Sequence, residues 1–216
     1  MVELLISQPL YQQVHENIKQ SILTGKLKPG EKVVVTKLAE EFSISRTPLR
    51  EALRQLEIEG LLVNEESGLH VIKLNAQDFK ELYQCRIMLE KEIMKMIVET
   101  ISDKQLGEVR KLLEQADKAL EEQDYLRLLE FNTKFHEKLL ESSPNKRVVD
   151  LVQRVRNFLL IYRAKMLRND QFNSRINKEH KEIFVALAER DKDKVVKTIE
   201  AHLKNDEQRG LEIFTD

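Results

Sequence analysis

The chain has 216 residues, with 36 Lys plus Arg against 37 Asp plus Glu, so its formal net charge is -1 and any nucleic-acid contact must come from a local patch. Apolar residues at 41% and charged residues at 34% exclude a disordered chain and a membrane bundle, and a single Cys excludes an internal disulfide or a Cys-based zinc site. Val2 to Ile6 is too short and too interrupted for a signal peptide, so a cytoplasmic, mostly helical protein with no membrane partner is expected.

Leu10, Val14, Ile18 and Ile22 recur every fourth residue and predict a helix with one apolar stripe, ended at Gly25 and followed by a turn at Pro29-Gly30. The β-branched run Val33 to Val35 reads as a short strand. Thr36 reads as the cap of a short helix through Phe42. Ser43 to Arg46 is a tight connection, and Thr47-Pro48 signals the start of a helix that runs to Gly60. Leu61–Val63 and Leu69–Leu74, separated by turn formers and acids, predict a hairpin.

This order is the pattern of a winged helix-turn-helix over residues 1–75. Beyond Asn75 every strong signal is helical, with six helices near 76–101, 103–122, 124–142, 145–169, 173–189 and 192–213. Ser102 to Gln105 is a capping box, and Asp124 and Asp191 are good caps. The expected fold is mainly α: an N-terminal winged helix-turn-helix plus a C-terminal all-α six-helix bundle over residues 76–216.

Arg46, Arg50 and Arg54 are spaced i, i+4, i+8 and form one ridge beside the buried stripe of Leu49, Ala52, Leu53 and Leu56. Guanidinium groups suit bidentate contacts to guanine and pairing with phosphate, and Ser45 and Thr47 add hydroxyl donors. No acid interrupts Ser43 to Arg50, which is the local patch that the global charge lacks.

The run Ile44-Ser45-Arg46-Thr47-Pro48-Leu49-Arg50-Glu51-Ala52-Leu53-Arg54-Gln55-Leu56, with Leu27-Lys28-Pro29-Gly30-Glu31 before it and Glu59-Gly60-Leu61 after it, resembles the GntR family of bacterial transcription regulators. The helical remainder is similar to that family's FadR group in its six-helix form, through Tyr83-Gln84-Cys85-Arg86 and Leu89-Glu90. The resemblance implies that Arg46 and Arg50 read the major groove and that Gly68 marks a wing tip in the minor groove. Thr36 stands where some members carry a DNA-contacting Arg, and Glu65 and Glu66 stand where wings are often basic. These departures weaken the wing's electrostatics and leave specificity to Arg46, Arg50 and His70; His70 reads either as a phosphate contact or as an exposed strand residue.

His136, His180 and His202 each lie on the apolar face of a different helix. Three inward imidazoles need polar partners, and a shared metal would satisfy them. The resemblance implies a divalent site of one Asp and three His, which fall here on Asn132, His136, His180 and His202. The neutral Asn132 amide weakens hard-cation binding and favours Zn or Ni. In relatives an arginine at the position of Arg86, near Tyr83, clamps an effector carboxylate; a salt bridge to Glu90 is the alternative. Cys85 reads as a small buried hydrophobe rather than a redox sensor.

The function expected is a DNA-binding transcription regulator of the repressor kind. It would act as a homodimer on a pseudo-palindromic double-stranded operator and answer to a small carboxylate effector. His136-Glu137-Lys138-Leu139-Leu140 begins like a zinc-hydrolase motif but lacks the second His, so a metal-dependent hydrolase is an alternative. A helical interaction protein that binds no DNA is another.

Overall fold

The computed structural model describes residues 8–166 and 170–214. Residues 1–7, where no leader pattern is read, and 167–169, the expected end of the fourth long helix, lie outside the described residues. The chain divides into two compact units, the first ending at Leu74 and the second beginning at Asn75.

The first unit contains α1 (Leu10–Leu23), α2 (Val35–Glu41), α3 (Arg46–Ile58), β1 (Leu62–Glu65) and β2 (Gly68–Val71). Val14, Ile18 and Ile22 are buried as the stripe predicts, whereas Leu10 is exposed. Leu49, Ala52, Leu53 and Leu56 of α3 are buried as well, and α1 packs against α3. His15 and Lys19 of α1 both reach Glu59 just past α3, at 2.7 and 3.0 Å, and tie the helix pair at its edge.

Two local expectations differ from the structure. The strand expected at Val33–Val35 is a single bridge, Lys32 to His70, and Val35 already opens α2. Val34 is the N-cap and Thr36 lies inside the first turn, because burial of Val33 and Leu38 outweighs strand propensity here. Likewise α3 is capped at Ser45, so Thr47 and Pro48 are its second and third residues. Proline fits there because no first-turn N–H has a partner within the helix.

The turn between α2 and α3 passes through Ser43 at φ 53°. Ile44 N–H donates to the Ala39 carbonyl and Ser43 N–H to Glu40, which closes α2 with a Schellman-type pair. The same device ends α5 at Gln123 (φ 56°) and α8 at Arg190 (φ 55°), each followed at once by a capping Asp.

The second unit holds α4 (Ala76–Thr100), α5 (Asp103–Glu121), α6 (Tyr125–Glu141), α7 (Lys146–Met166), α8 (Asp170–Ala188) and α9 (Lys192–Leu211), then a 3-10 turn at Glu212–Phe214. Asn75 and Asp78 start α4 with a capping box, and Ser102 with Gln105 does so for α5. Helix α4 packs against α9 and α7, while α5 packs against α6 and α8. The core includes Ile93, Ile97, Val109, Leu139, Ile183 and Leu203. Gly210 of α9 is required by its neighbour: a Cβ there would sit 2.2 Å from Phe79 Cζ of α4.

Candidate nucleic-acid interface and candidate metal centre

Helix α3 buries one side and exposes Arg46, Arg50 and Arg54 on another. Among the described residues none of these three guanidinium groups makes a hydrogen bond or ion pair within the chain. Ser45 and Thr47 are exposed beside them, and no side chain caps the first turn of α3. Exposed cations over free N–H groups form a surface suited to phosphate and base edges.

Thr36 is exposed on α2. The hairpin pairs Leu62 with Val71, Val63 with His70 and Glu65 with Gly68. Gly68 has φ +116°, a conformation that few side chains tolerate. His70 differs from its reading as an exposed strand residue. Only 9% exposed, its ring meets the Gly68 carbonyl at 2.8 Å and the Ser67 hydroxyl at 3.3 Å, so it braces the wing turn.

In the second unit the three histidines converge from α6, α8 and α9. His136, His180 and His202 are at most 1% exposed, and one ring nitrogen from each lies within 4.8 Å of the others. Phe135 stacks on His180 at 4.4 Å between centroids. His136 Nε2 and His202 Nε2 stand 3.3 Å apart.

Carboxylates stand behind two of these rings. Glu179 Oε2 is 2.8 Å from His202 Nδ1, and Glu90 Oε2 is 3.6 Å from His136 Nδ1. Burial pushes the Glu179 carboxyl up, but hydrogen bonds from Arg209 and His202 pull it further down, to about 2. An ionised carboxylate only accepts, so the His202 Nδ1–H donates to Glu179, while Nε2 faces His136 Nε2 at 3.3 Å and Asp206 Oδ2 at 3.5 Å. Burial also pushes the Glu90 carboxyl up, and the Arg86 and Arg156 charges draw it below the usual range.

Arg86 Nε donates to Glu90 Oε1 at 2.9 Å, and Tyr83 lies under the guanidinium at 5.1 Å. Arg86 thus makes the Glu90 salt bridge, while its Nη2, with Glu90 Oε2 and Asn132 Oδ1, is buried without a hydrogen-bond partner among the described residues. Asn132 sits one turn before His136 and is 2% exposed. Cys85 is half-buried beside Arg86.

These residues fit a divalent ion. Two imidazole nitrogens bound to one ion at about 2.0–2.1 Å stand about 2.9–3.4 Å apart, which matches the His136–His202 spacing. An unpartnered amide oxygen one turn from His136 is a suitable further donor. The inward carboxylates Glu179 and Asp206 and the cations Arg156 and Arg209 escaped the sequence reading, which met Glu90 only as a partner for Arg86. Asp206 at i+4 from His202 was the signal that could have found one of them.

Residues 10–71 match the model of bacterial regulatory proteins of the gntR family, and residues 81–205 match that of the FCD domain. The chain belongs to the GntR family of transcription regulators. This GntR chain is 32% identical over 203 residues to the HTH-type transcriptional regulator YdhC of Bacillus subtilis, spanning 92% of the chain and 89% of YdhC. It is 26% identical over 198 residues to the gluconate operon transcriptional repressor of Bacillus licheniformis, spanning 89% of the chain and 81% of that repressor. McbR/YncC of E. coli shares the fold, with TM-score 0.80 at 22% identity over 93% of this chain and 96% of that one. These relatives are DNA-binding regulators, not hydrolases. Among the described residues no helix is long and apolar enough to cross a membrane.

Proposed function

We propose that this GntR regulator is a repressor that binds a pseudo-palindromic operator as a homodimer and is controlled by a small carboxylate held in the helical unit. One short reading helix buries too little surface for tight, specific binding, which favours two copies. Arg46, Arg50 and Arg54 meet base edges or phosphates, Ser45, Thr47 and Thr36 add hydroxyl contacts, and Gly68 lets the wing approach the minor groove. His70 holds the wing turn.

The observation that carries the sensing half is the convergence of three buried imidazoles next to the unpartnered Nη2 of Arg86. His136, His180 and His202, with the Asn132 amide, would hold a divalent ion, and a nitrogen-rich neutral donor set favours Zn or Ni. When bound, the ion supplies a Lewis-acid position for a carboxylate oxygen. Arg86, over Tyr83, supplies a fixed cation for the same anion. An effector acts by binding the DNA-competent and DNA-incompetent arrangements unequally. The name of the gluconate operon repressor supports the sign of regulation.

The test is elemental analysis and operator binding on the full chain. Wild type should retain Zn or Ni after dialysis, and His180→Ala should lose most of it while keeping its helical circular dichroism. A screen of carboxylates should find one that releases operator DNA from wild type and fails with Arg86→Ala. Metal-free wild type after loading, or full occupancy in His180→Ala, would overturn the metal centre.

A further inference from the structure

Read along the chain, the wing tip is acidic and ill suited to DNA, because it runs Glu65-Glu66-Ser67-Gly68. The bridge between Lys32 and His70 alters that reading in three dimensions. Val33 N–H donates to the Leu69 carbonyl and Val71 N–H to the Glu31 carbonyl, so residues 31–33 lie along β2 as a third, very short strand.

Residues directly opposite one another share a sheet face, and so do residues two apart in one strand. Lys32, His70, Gly68 and Glu65 therefore share a face, and Leu62 with Val71 occupies the buried one. Lys32 runs along its face to the tip. A Cβ on Gly68 would lie 3.3 Å from Lys32 Cε and 3.8 Å from Lys32 Nζ. The missing side chain of Gly68 is thus the channel over which the lysine stem passes.

The charge is available at that point. Lys32 is exposed, and among the described residues its ammonium has no ion pair or hydrogen bond. The nearest acid on that face, Glu65, is instead 3.6 Å from His70 Nδ1.

We infer that Lys32, carried to the wing tip across Gly68, is the wing's phosphate contact and takes the place of the basic residues that the tip itself lacks. This rests on the winged unit being the DNA-reading part, which the α3 variants test separately. The contact is to the backbone of the duplex. It therefore sets affinity and register without reading sequence.

Lys73 provides a matched control. It too is an exposed lysine whose stem lies against a glycine, with Cδ 3.2 Å from a Cβ placed on Gly30. It follows β2 at the end away from the tip, about 16 Å along the strand from Gly68 at ~3.3 Å per residue.

The experiment measures binding of the full-length chain to a labelled duplex that wild type has selected from a randomised pool, and to a scrambled duplex, between about 50 and 200 mM salt. Lys32→Gln should lower the slope of log affinity against log salt by about 0.9 for each chain bound, equally on both duplexes. Lys32→Arg should restore the slope, and Lys73→Gln should leave it unchanged. An unaltered slope in Lys32→Gln overturns the contact, as does an equal fall in Lys73→Gln or a loss confined to the selected duplex. Wild type that binds neither duplex would overturn the DNA reading as well; wild type that binds with an unaltered Lys32→Gln slope overturns the wing contact alone.

Discussion

The winged unit and the helical unit spend their polar residues in opposite ways. Among the described residues the winged unit buries one polar or charged side chain, His70, whereas the helical unit buries twelve, three of them histidines and three arginines. In the first, apolar residues hold the fold and guanidinium groups stand outside it. In the second, the charges form part of the interior. The contrast separates two kinds of recognition. A duplex is met on a surface, where exposed cations lose little hydration before contact. The small anion of the proposed function would be met inside, where the cations are already compensated by Glu90, Glu179 and Asp206.

Deleting a charge should therefore unfold one unit and only blunt the other. Glu90→Ala leaves Arg86 and Arg156 buried without their shared carboxylate and should destabilise the helical unit by about 3–5 kcal/mol. Chemical denaturation checks it, read separately for each unit because two units need not unfold together. A cost under about 1 kcal/mol would mean that the interior is well hydrated, and the contrast would fail.

Arg50→Ala should do the reverse. Loss of a bidentate base contact costs about 1–3 kcal/mol of operator affinity and relaxes specificity at one position. Stability should be unchanged, since the Arg50 side chain is exposed and has no partner in the described chain. Arg46→Ala should behave similarly. Unchanged operator affinity in both variants would remove α3 as the reading helix.

How far the sequence carries this contrast depends on whether a signal is periodic. The α3 ridge and the inward histidines were legible because each repeats with helical spacing on a single element. His136, for example, stands between Leu129 and Leu139-Leu140. Thr36 and the Val33–Val35 strand were misplaced because β-branched propensity is weak against burial of Val33. Thr47 was displaced as a cap because Ser45 and Thr47 are both acceptable, and only the left-handed Ser43 before them decides where α3 begins. The wing position of Lys32 and the link from Glu179 to His202 join residues from different elements, and no local pattern encodes them.

The smallest effect belongs to charge pairs on the outside of the helical unit, and it bears on whether location or unit membership makes a charge matter. Glu200 of α9 accepts from Lys204 and Lys91, and those hydrogen bonds, against a smaller opposing effect of burial, hold its carboxyl down at about 2. Because the folded value lies below the ordinary 4.5, this stabilisation is complete above about pH 4.5 and disappears as pH falls from there toward 2. These side chains all keep contact with solvent, so Glu200→Gln should cost less than ~1 kcal/mol at neutral pH. Wild type and variant should converge during acid titration followed by circular dichroism. A neutral-pH loss as large as that of Glu90→Ala would show that the whole helical unit is sensitive to charge deletion, and burial would no longer explain the difference between its two pairs.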